Sequence, residues 1–433
     1  MSRILRTVLA ASLAGSAVTP VRAQTEVWET SPPAEADLSQ CYAWAQEQSE
    51  SLHIQVEQIY QLEQQFKQAL ASALPNLSFN AADKWLDTSR LEGASSPSGT
   101  FTSPQPQVNF ALSQPLFSGL REYAAMAASK HQGQAAELQL KRARILLFQD
   151  VSNAFYLIMN LDTQLANDRM AIDMIANRIK ELNRFEDLGR SRHSEVVFAE
   201  SQKAALEAQE AFLKGQIEVA RELLSFLAGK DLSLTKLSDK LDRVRALDPE
   251  ESLLARAYNR TDVQALDKQV LAQEDQMRLA KGAWAPTVSF LGNYYLKRIS
   301  SLEPIRWDAG LTAGLPLFAG GGQVAAVRQA QSQVNQARYN FELGLRQART
   351  QIHSAYMILR AAANTTDAAE KSYLKAEESY RLESKEYRLG LVTNLDVLQA
   401  LNALVSAKTA FDADVVQTKL DLLQLKVATE ELP

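Results

Sequence analysis

The sequence predicts a mainly α-helical chain with a small β part, in which one structural unit is built twice. Three observations carry this: motifs that return about 200 residues later, two long proline-free runs with a coiled-coil period, and short segments of alternating polarity bounded by prolines. Glycine (17) and proline (13) are scarce among the 433 residues, a balance that favours long helices over a compact mixed fold.

The N-terminus has the pattern of an export signal. Arg3 and Arg6 precede an apolar run from Thr7 to Val18, and Val21-Arg22-Ala23 supplies a small-residue cleavage site. Residues 1–23 are therefore expected to be a signal peptide and 24–37 a linker. Cleavage after Ala23 leaves 43 basic and 51 acidic residues, a net charge of −8. No basic excess points to nucleic acid. No later stretch has 18 consecutive apolar residues, so no transmembrane helix is expected. The single cysteine, Cys41, excludes an internal disulfide. It follows Leu38-Ser39-Gln40, a poor lipidation box because Gln40 is bulky, and is expected as a small buried residue of the opening helix.

The repeat spans 38–249 and 250–433. Gln114-Pro115-Leu116-Phe117-Ser118-Gly119 returns as Leu315-Pro316-Leu317-Phe318-Ala319-Gly320, 201 residues later, and Gly189 returns as Gly390 at the same offset. The intervening segment carries no net insertion, which suits one continuous element. Upstream, Leu74-Pro75-Asn76-Leu77-Ser78-Phe79 is similar to Ala285-Pro286-Thr287-Val288-Ser289-Phe290 at an offset of 211. A loop between the two motifs absorbs the difference. The first unit is expected to contain an opening helix, strands at about 76–86 and 106–115, a long helix 117–187, a return helix 194–228 and an equatorial segment 229–249. The second is expected to contain a helix 250–284, strands at about 287–297 and 306–316, a long helix 320–388 and a return helix 394–430.

In the first long segment Val151, Ala154, Ile158, Leu161, Leu165, Ile172, Ile175, Ile179 and Leu182 step by three and four, and Asp168 interrupts them. The second repeats the stripe with smaller residues: Leu345, Ala348, Ile352, Ala355, Leu359, Ala362, Ala369, Tyr373, Ala376 and Tyr380. This is a coiled-coil seam. About 67 helical residues extend roughly 100 Å, far more than a ~30 Å bilayer core. Gly189 and Gly390 are expected as left-handed C-caps that reverse the chain. Ser194 and Asn394 are expected as N-caps of the return helices.

The segments between the proline motifs alternate differently. Val288, Phe290, Gly292, Tyr294 and Leu296 interleave with Thr287, Ser289, Leu291, Asn293 and Tyr295, and Trp307, Ala309, Leu311, Ala313 and Leu315 with Asp308, Gly310, Thr312 and Gly314. The first unit has Leu77, Phe79, Ala81, Val108, Phe110 and Leu112 against polar neighbours. Period two over ~10 residues with aromatics near the ends fits a transmembrane barrel strand, and equally a half-buried strand of a soluble sheet. Four strands cannot close a barrel, whose smallest size is about eight, so a barrel requires several chains. The loops are expected at 95–106 and 297–304.

These features resemble the TolC-like outer membrane efflux protein family, from about Leu38 to Leu432. The likeness rests on the doubled Pro-Leu-Phe junctions with their glycines, the two hairpins, Tyr387-Arg-Leu-Gly390-Leu-Val-Thr-Asn-Leu-Asp396-Val-Leu, and Asn259-Arg260-Thr261-Asp262-Val263-Gln264-Ala265. Thr261 stands where the family commonly has proline. The resemblance implies a homotrimer with a 12-stranded transmembrane β-barrel, four strands per chain, in the outer membrane. A long α-helical coiled-coil tunnel would continue it through the periplasm, girdled by a belt from 229–249 and the C-terminal residues. Pro75, Pro115, Phe117, Pro286, Pro316 and Phe318 would mark the barrel–helix junctions. The implied partners are a periplasmic adaptor protein and an inner-membrane pump of the RND, ABC or MFS type, with outer-membrane lipid around the barrel.

The family's periplasmic gate maps onto Asp396, which would form an acidic ring, and onto Tyr387 with Glu195, preceded by Ser194, as a latch. Val392 and Gln399 stand where the prototype has an arginine and a second gate acid, and Arg190, Arg192 and His193 crowd the other tip. Leu188, Gly189, Leu389, Gly390, Leu391 and Val392 would form the apolar tips that meet the adaptor.

No chemistry competes with this. Gly320-Gly321-Gly322 lacks the lysine and Ser/Thr of a phosphate loop, and Gly229-Lys230 is followed by Asp231. There is no Gly-x-Ser-x-Gly, no His-Glu-x-x-His and no ligand-spaced pair among the four histidines. Neither an enzyme nor a cofactor or metal site is expected. The readings that remain are an exit duct for efflux or type I secretion and a soluble periplasmic coiled-coil scaffold. An adaptor normally has one hairpin flanked by β segments, and two equal hairpins argue against it.

Overall fold

The computed structural model describes residues 34–85, 104–243, 248–298, 302 and 304–431. The predicted signal peptide, residues 24–33 of the linker, most of the 95–106 loop and residues 299–301 and 303 of the 297–304 loop lie outside these residues. In chain order the elements are β1 (Glu35–Asp37), α1 (Leu38–Gln48), α2 (Glu50–Ala71), β2 (Asn76–Lys84), β3 (Gln105–Phe117), α3 (Arg121–Asp187) and α4 (His193–Ala228). There follow β4 (Lys236–Ser238), α5 (Glu250–Leu254), α6 (Thr261–Gly282), β5 (Thr287–Lys297), β6 (Trp307–Gly314), α7 (Gly322–Arg388) and α8 (Asn394–Thr429). The chain is mostly helical with a small sheet part. Among the described residues no helix is long and apolar enough to cross a membrane.

The long helices α3 and α7 have 67 residues each, and their return partners α4 and α8 have 36 each. Each 67-residue helix is about 100 Å long. The shorter α2 and α6 have 22 each and pack on α3, and α6 also on α7. Seam residues Val151, Ala154, Ile158, Ile175 and Leu182 of α3 are buried. They belong to a mid-helix cluster with Phe148, Phe155 and Leu224 and to a second cluster near the tips with Val196, Leu398 and Leu401. On α7 only Ala348, Ile352 and Leu359 of the predicted seam are buried, while Met357, Ile358, Leu374 and Leu382 stay exposed. One chain thus leaves several apolar side chains of its second hairpin exposed.

Several boundaries differ from those expected. The predicted helix 250–284 is broken into α5, a 3-10 turn at Ala255–Asn259 and α6, with Arg260 extended between them. Burial explains the break: Arg260 is 2% exposed, donates twice to Asp262 (3.1 and 2.5 Å) and reaches the carbonyl of Ala428 (3.4 Å). The opening helix of the first unit is likewise interrupted at Ser49, whose hydroxyl caps α2. The long helices begin at Arg121 and Gly322, not 117 and 320, because Gly119–Leu120 and Gly320–Gly321 take left-handed conformations and redirect the chain first.

The return helices are not capped by Ser194 and Asn394. Arg192 holds the first cap position without a side-chain bond. Thr393 holds the second, in a reciprocal capping box with Asp396. At the equator β1 pairs in parallel with β4, so the end of the predicted linker is a strand. Cys41 is buried in α1, and desolvation pushes its thiol up to about 12.

Candidate functional site

The four long strands form one antiparallel sheet in the order β2-β3-β5-β6. Its register brings Phe79 opposite Phe110, Phe110 opposite Tyr294 and Tyr294 opposite Trp307. Because directly paired residues share a face, Leu77, Phe79, Val108, Phe110, Leu112, Phe290, Tyr294, Trp307 and Leu311 line one side. Leu77 (68%), Trp307 (67%) and Leu311 (69%) are largely exposed. The opposite face is mainly polar, with Leu291 its one large apolar side chain among the described strands, and carries a ladder across three strands. Asn109 Nδ2 donates to Asn293 Oδ1 (3.1 Å), Asn293 Nδ2 to Asp308 Oδ1 (2.8 Å) and the Tyr295 hydroxyl to Asp308 Oδ2 (2.9 Å). Among the described residues nothing covers the apolar face of this sheet, and β2 and β6 are its edges.

The predicted junction residues sit where sheet becomes helix. Pro75 and Pro286 directly precede β2 and β5; Pro115 and Phe117 lie in the last turn of β3, at a shift in register. There a proline costs no ladder bond. Pro316 and Phe318 follow β6, and Phe318 is exposed. Gly119 (φ +71°) passes so close to α6 that a Cβ would lie 2.3 Å from the carbonyl oxygen of Gly282, whereas Gly320 has open space around it.

At the other end of the helices both hairpins turn through the same motif. Gly189 N–H donates to Glu186 (2.8 Å) and Arg190 N–H to Phe185 (2.6 Å). Gly390 N–H donates to Tyr387 (2.9 Å) and Leu391 N–H to Glu386 (3.0 Å). These are Schellman closures, with both glycines at positive φ. Leu188, Leu389 and Leu391 are exposed around them, and Val392 is partly so.

The two tips are joined by Arg178, a residue sequence reasoning did not single out. Its guanidinium is buried, donates to Asn394 Oδ1 (2.9 Å) and Glu181 (2.8 Å), and lies 3.7 Å from the centre of the Tyr387 ring. Arg388 donates to the other oxygen of Glu181 (3.1 Å), and the Phe185 and Tyr387 rings are 5.9 Å apart. Burial raises the Tyr387 phenol above its ordinary range, with the Arg178 charge opposing. Glu195 accepts from the Ser191 hydroxyl (3.1 Å) and lies 3.5 Å from Arg192. Ser194 is exposed in the first turn of α4.

Asp396 is partly exposed and accepts from the Thr393 amide and hydroxyl, both at 2.7 Å. Those bonds, the hydroxyl's first, hold its carboxyl below the usual range. No cluster of metal-ligating side chains occurs among the described residues.

Comparison with known proteins bears on both regions. Residues 255–429 match the family described as outer membrane efflux protein. Nodulation protein T of Rhizobium leguminosarum bv. viciae is 25% identical over 174 residues, 39% of this chain and 36% of that protein; the chain thus matches about a third of that relative's length. The outer membrane efflux protein BepC of Brucella suis is 23% identical over 331 residues, 73% of this chain and 71% of BepC. The outer membrane protein VceC of Vibrio cholerae has the same fold, with a TM-score of 0.78 at 20% identity over 90% of this chain and 95% of VceC. The second half of the chain thus matches the outer membrane efflux protein family, and the chain has the fold of VceC.

Proposed function

We propose that the protein is the outer membrane channel of a tripartite efflux or type I secretion system, a passive trimeric exit duct with no catalysis of its own. The observation that carries this reading is the sheet: four strands, apolar on one face, hydrogen-bonded and polar on the other, open at both edges, and fused to hairpins about 100 Å long. Backbone edges do not face lipid unpaired, and four strands cannot close alone. Three copies give twelve strands, lipid outside and water within. The exposed apolar side chains of α7 are buried in the same assembly, and the helices continue the pore through the periplasm after export by a cleavable signal.

The tips act as the gate. Arg178, Tyr387 and Asn394 hold the two hairpins together, three Asp396 carboxylates surround the axis and select for cations, and Glu195 and Ser194 border the first tip. The apolar tips around Gly189 and Gly390 receive a periplasmic adaptor, which couples the duct to an inner-membrane pump that supplies the energy. Fractionation tests the reading. The mature protein stays with outer membranes, runs as a trimer in detergent and conducts in planar bilayers. Release by osmotic shock as a non-conducting monomer would instead make it a periplasmic scaffold.

A further inference from the structure

We propose that Asp308 and Arg298 form a charge pair inside the barrel that sets ion preference at its outer mouth, separately from the helical tips. The inference rests on the duct reading, in which the polar face of the sheet lines the pore. Asp308 lies at the end of the sheet away from the helices, beside the Tyr294–Trp307 pair. On that polar face the described strands carry two charged side chains, Asp308 and, at the far end of β2, Lys84.

Asp308 is held by Asn293 and Tyr295, and the Arg298 guanidinium stands 3.8 Å from it while stacking 3.9 Å over the Tyr295 ring. An asparagine's Oδ1 would still accept from Asn293 and its Nδ2 would donate to the Tyr295 hydroxyl oxygen in place of the bond that hydroxyl now gives, so the sheet's hydrogen bonds do not require a charge here. The Asp308 side chain remains 46% exposed and that of Arg298 19%, which leaves the carboxylate the more open to solvent. An ionisable group at membrane depth persists where it faces water and bears on the path of ions.

Distance decides whether such a pair is felt. Twelve strands spaced about 4.8 Å and tilted about 40° enclose a barrel roughly 24 Å across between backbones. An inward side chain then places its charge about 8 Å from the axis, close to one Debye length at physiological salt and well beyond the ~3 Å of 1 M salt. The pair therefore acts at low salt and fades at high salt, and Arg298 offsets part of the Asp308 field.

Reversal potentials of purified trimers in planar bilayers under a KCl gradient test this. At about 0.1 M salt Asp308→Asn lowers the cation-to-anion permeability ratio about twofold and Arg298→Gln raises it by a similar factor. Asp308→Glu keeps the parent ratio. The changes persist in an Asp396→Asn background and shrink in 1 M salt. A conducting trimer whose ratio is the same in the parent, Asp308→Asn and Arg298→Gln, in both backgrounds, overturns this inference alone. A parent that neither trimerises nor conducts overturns the duct reading and this inference with it.

Discussion

The Arg178 guanidinium lies 3.7 Å from the centre of the Tyr387 ring, so a buried cation on the first hairpin is seated on an aromatic face of the second. The contact is directional. Cation–π attraction at a desolvated site contributes about 2 kcal/mol, and the Asn394 and Glu181 bonds to the same group add to it.

Replacing Arg178 with methionine removes all three contacts and should weaken the tip by about 2–3 kcal/mol. Closed-state conductance in planar bilayers is expected to rise severalfold. Tyr387→Phe keeps the ring and should change conductance little, whereas Tyr387→Leu should behave like Arg178→Met. Equal effects of Phe and Leu would assign the contact to the hydroxyl instead.

Asp396 titrates below the usual carboxylate range because Thr393 hydrogen-bonds its ionised form. A lowered folded-state pKa means that the capping box adds stability above the carboxyl's ordinary pKa of 3.8, and loses it as pH falls through the depressed value. Any acidic ring at the tip therefore stays charged at mildly acidic pH. Block by divalent cations should be unchanged between pH 7 and 5 and vanish in Asp396→Asn, which single-channel recordings can follow. Thr393→Ala should shift the loss of block upward in pH.

Gly119 and Gly320 occupy corresponding junctions, yet only the first is confined. Alanine at 119 must adopt a left-handed conformation, at a cost of about 1–2 kcal/mol, and overlaps Gly282 and Ala285, which adds about 1–3 kcal/mol. Alanine at 320 meets only the first cost. Thermal melting of the detergent-solubilised trimer should fall clearly further for Gly119→Ala.

Thr261 explains one departure from the resembling family, which commonly has proline there. Its amide donates to Glu430 Oε2 (2.8 Å) and its hydroxyl to Glu430 Oε1 (2.9 Å), fastening the end of α8 to the start of α6. Arg142 reaches the same carboxylate at 3.3 Å. Proline removes both donors, and Thr261→Pro should destabilise the equatorial region by about 2–3 kcal/mol. Earlier hydrogen exchange at the end of α8 would report it.

What the sequence revealed follows from the range of the forces involved. The alternation of Leu77, Phe79, Phe110 and Tyr294 was readable because a strand's period is local, and the paired register places those residues on one face. The reversals at Gly189 and Gly390 were readable because few other residues tolerate their positive φ. Arg178 was not readable: on a helix surface it resembles any solvated charge, and its acceptor Asn394 lies 216 residues away. The break at Arg260 has the same origin, since its carbonyl partner Ala428 comes from 168 residues on. The three-residue strands β1 and β4 are too short for any periodicity. By contrast the capping box of Thr393 and Asp396 is legible locally, a threonine with an acid three residues on.

The central claim, that one face of the sheet meets lipid and the other water, is tested most directly by alternating cysteine labelling along β6. Cys41 is buried with a suppressed thiol and provides a quiet background. In intact outer-membrane vesicles Asp308→Cys, Gly310→Cys and Thr312→Cys should react with a water-soluble maleimide, whereas Ala309→Cys, Leu311→Cys and Ala313→Cys should react only with a membrane-partitioning reagent. Uniform labelling of both sets by the water-soluble reagent would contradict the account.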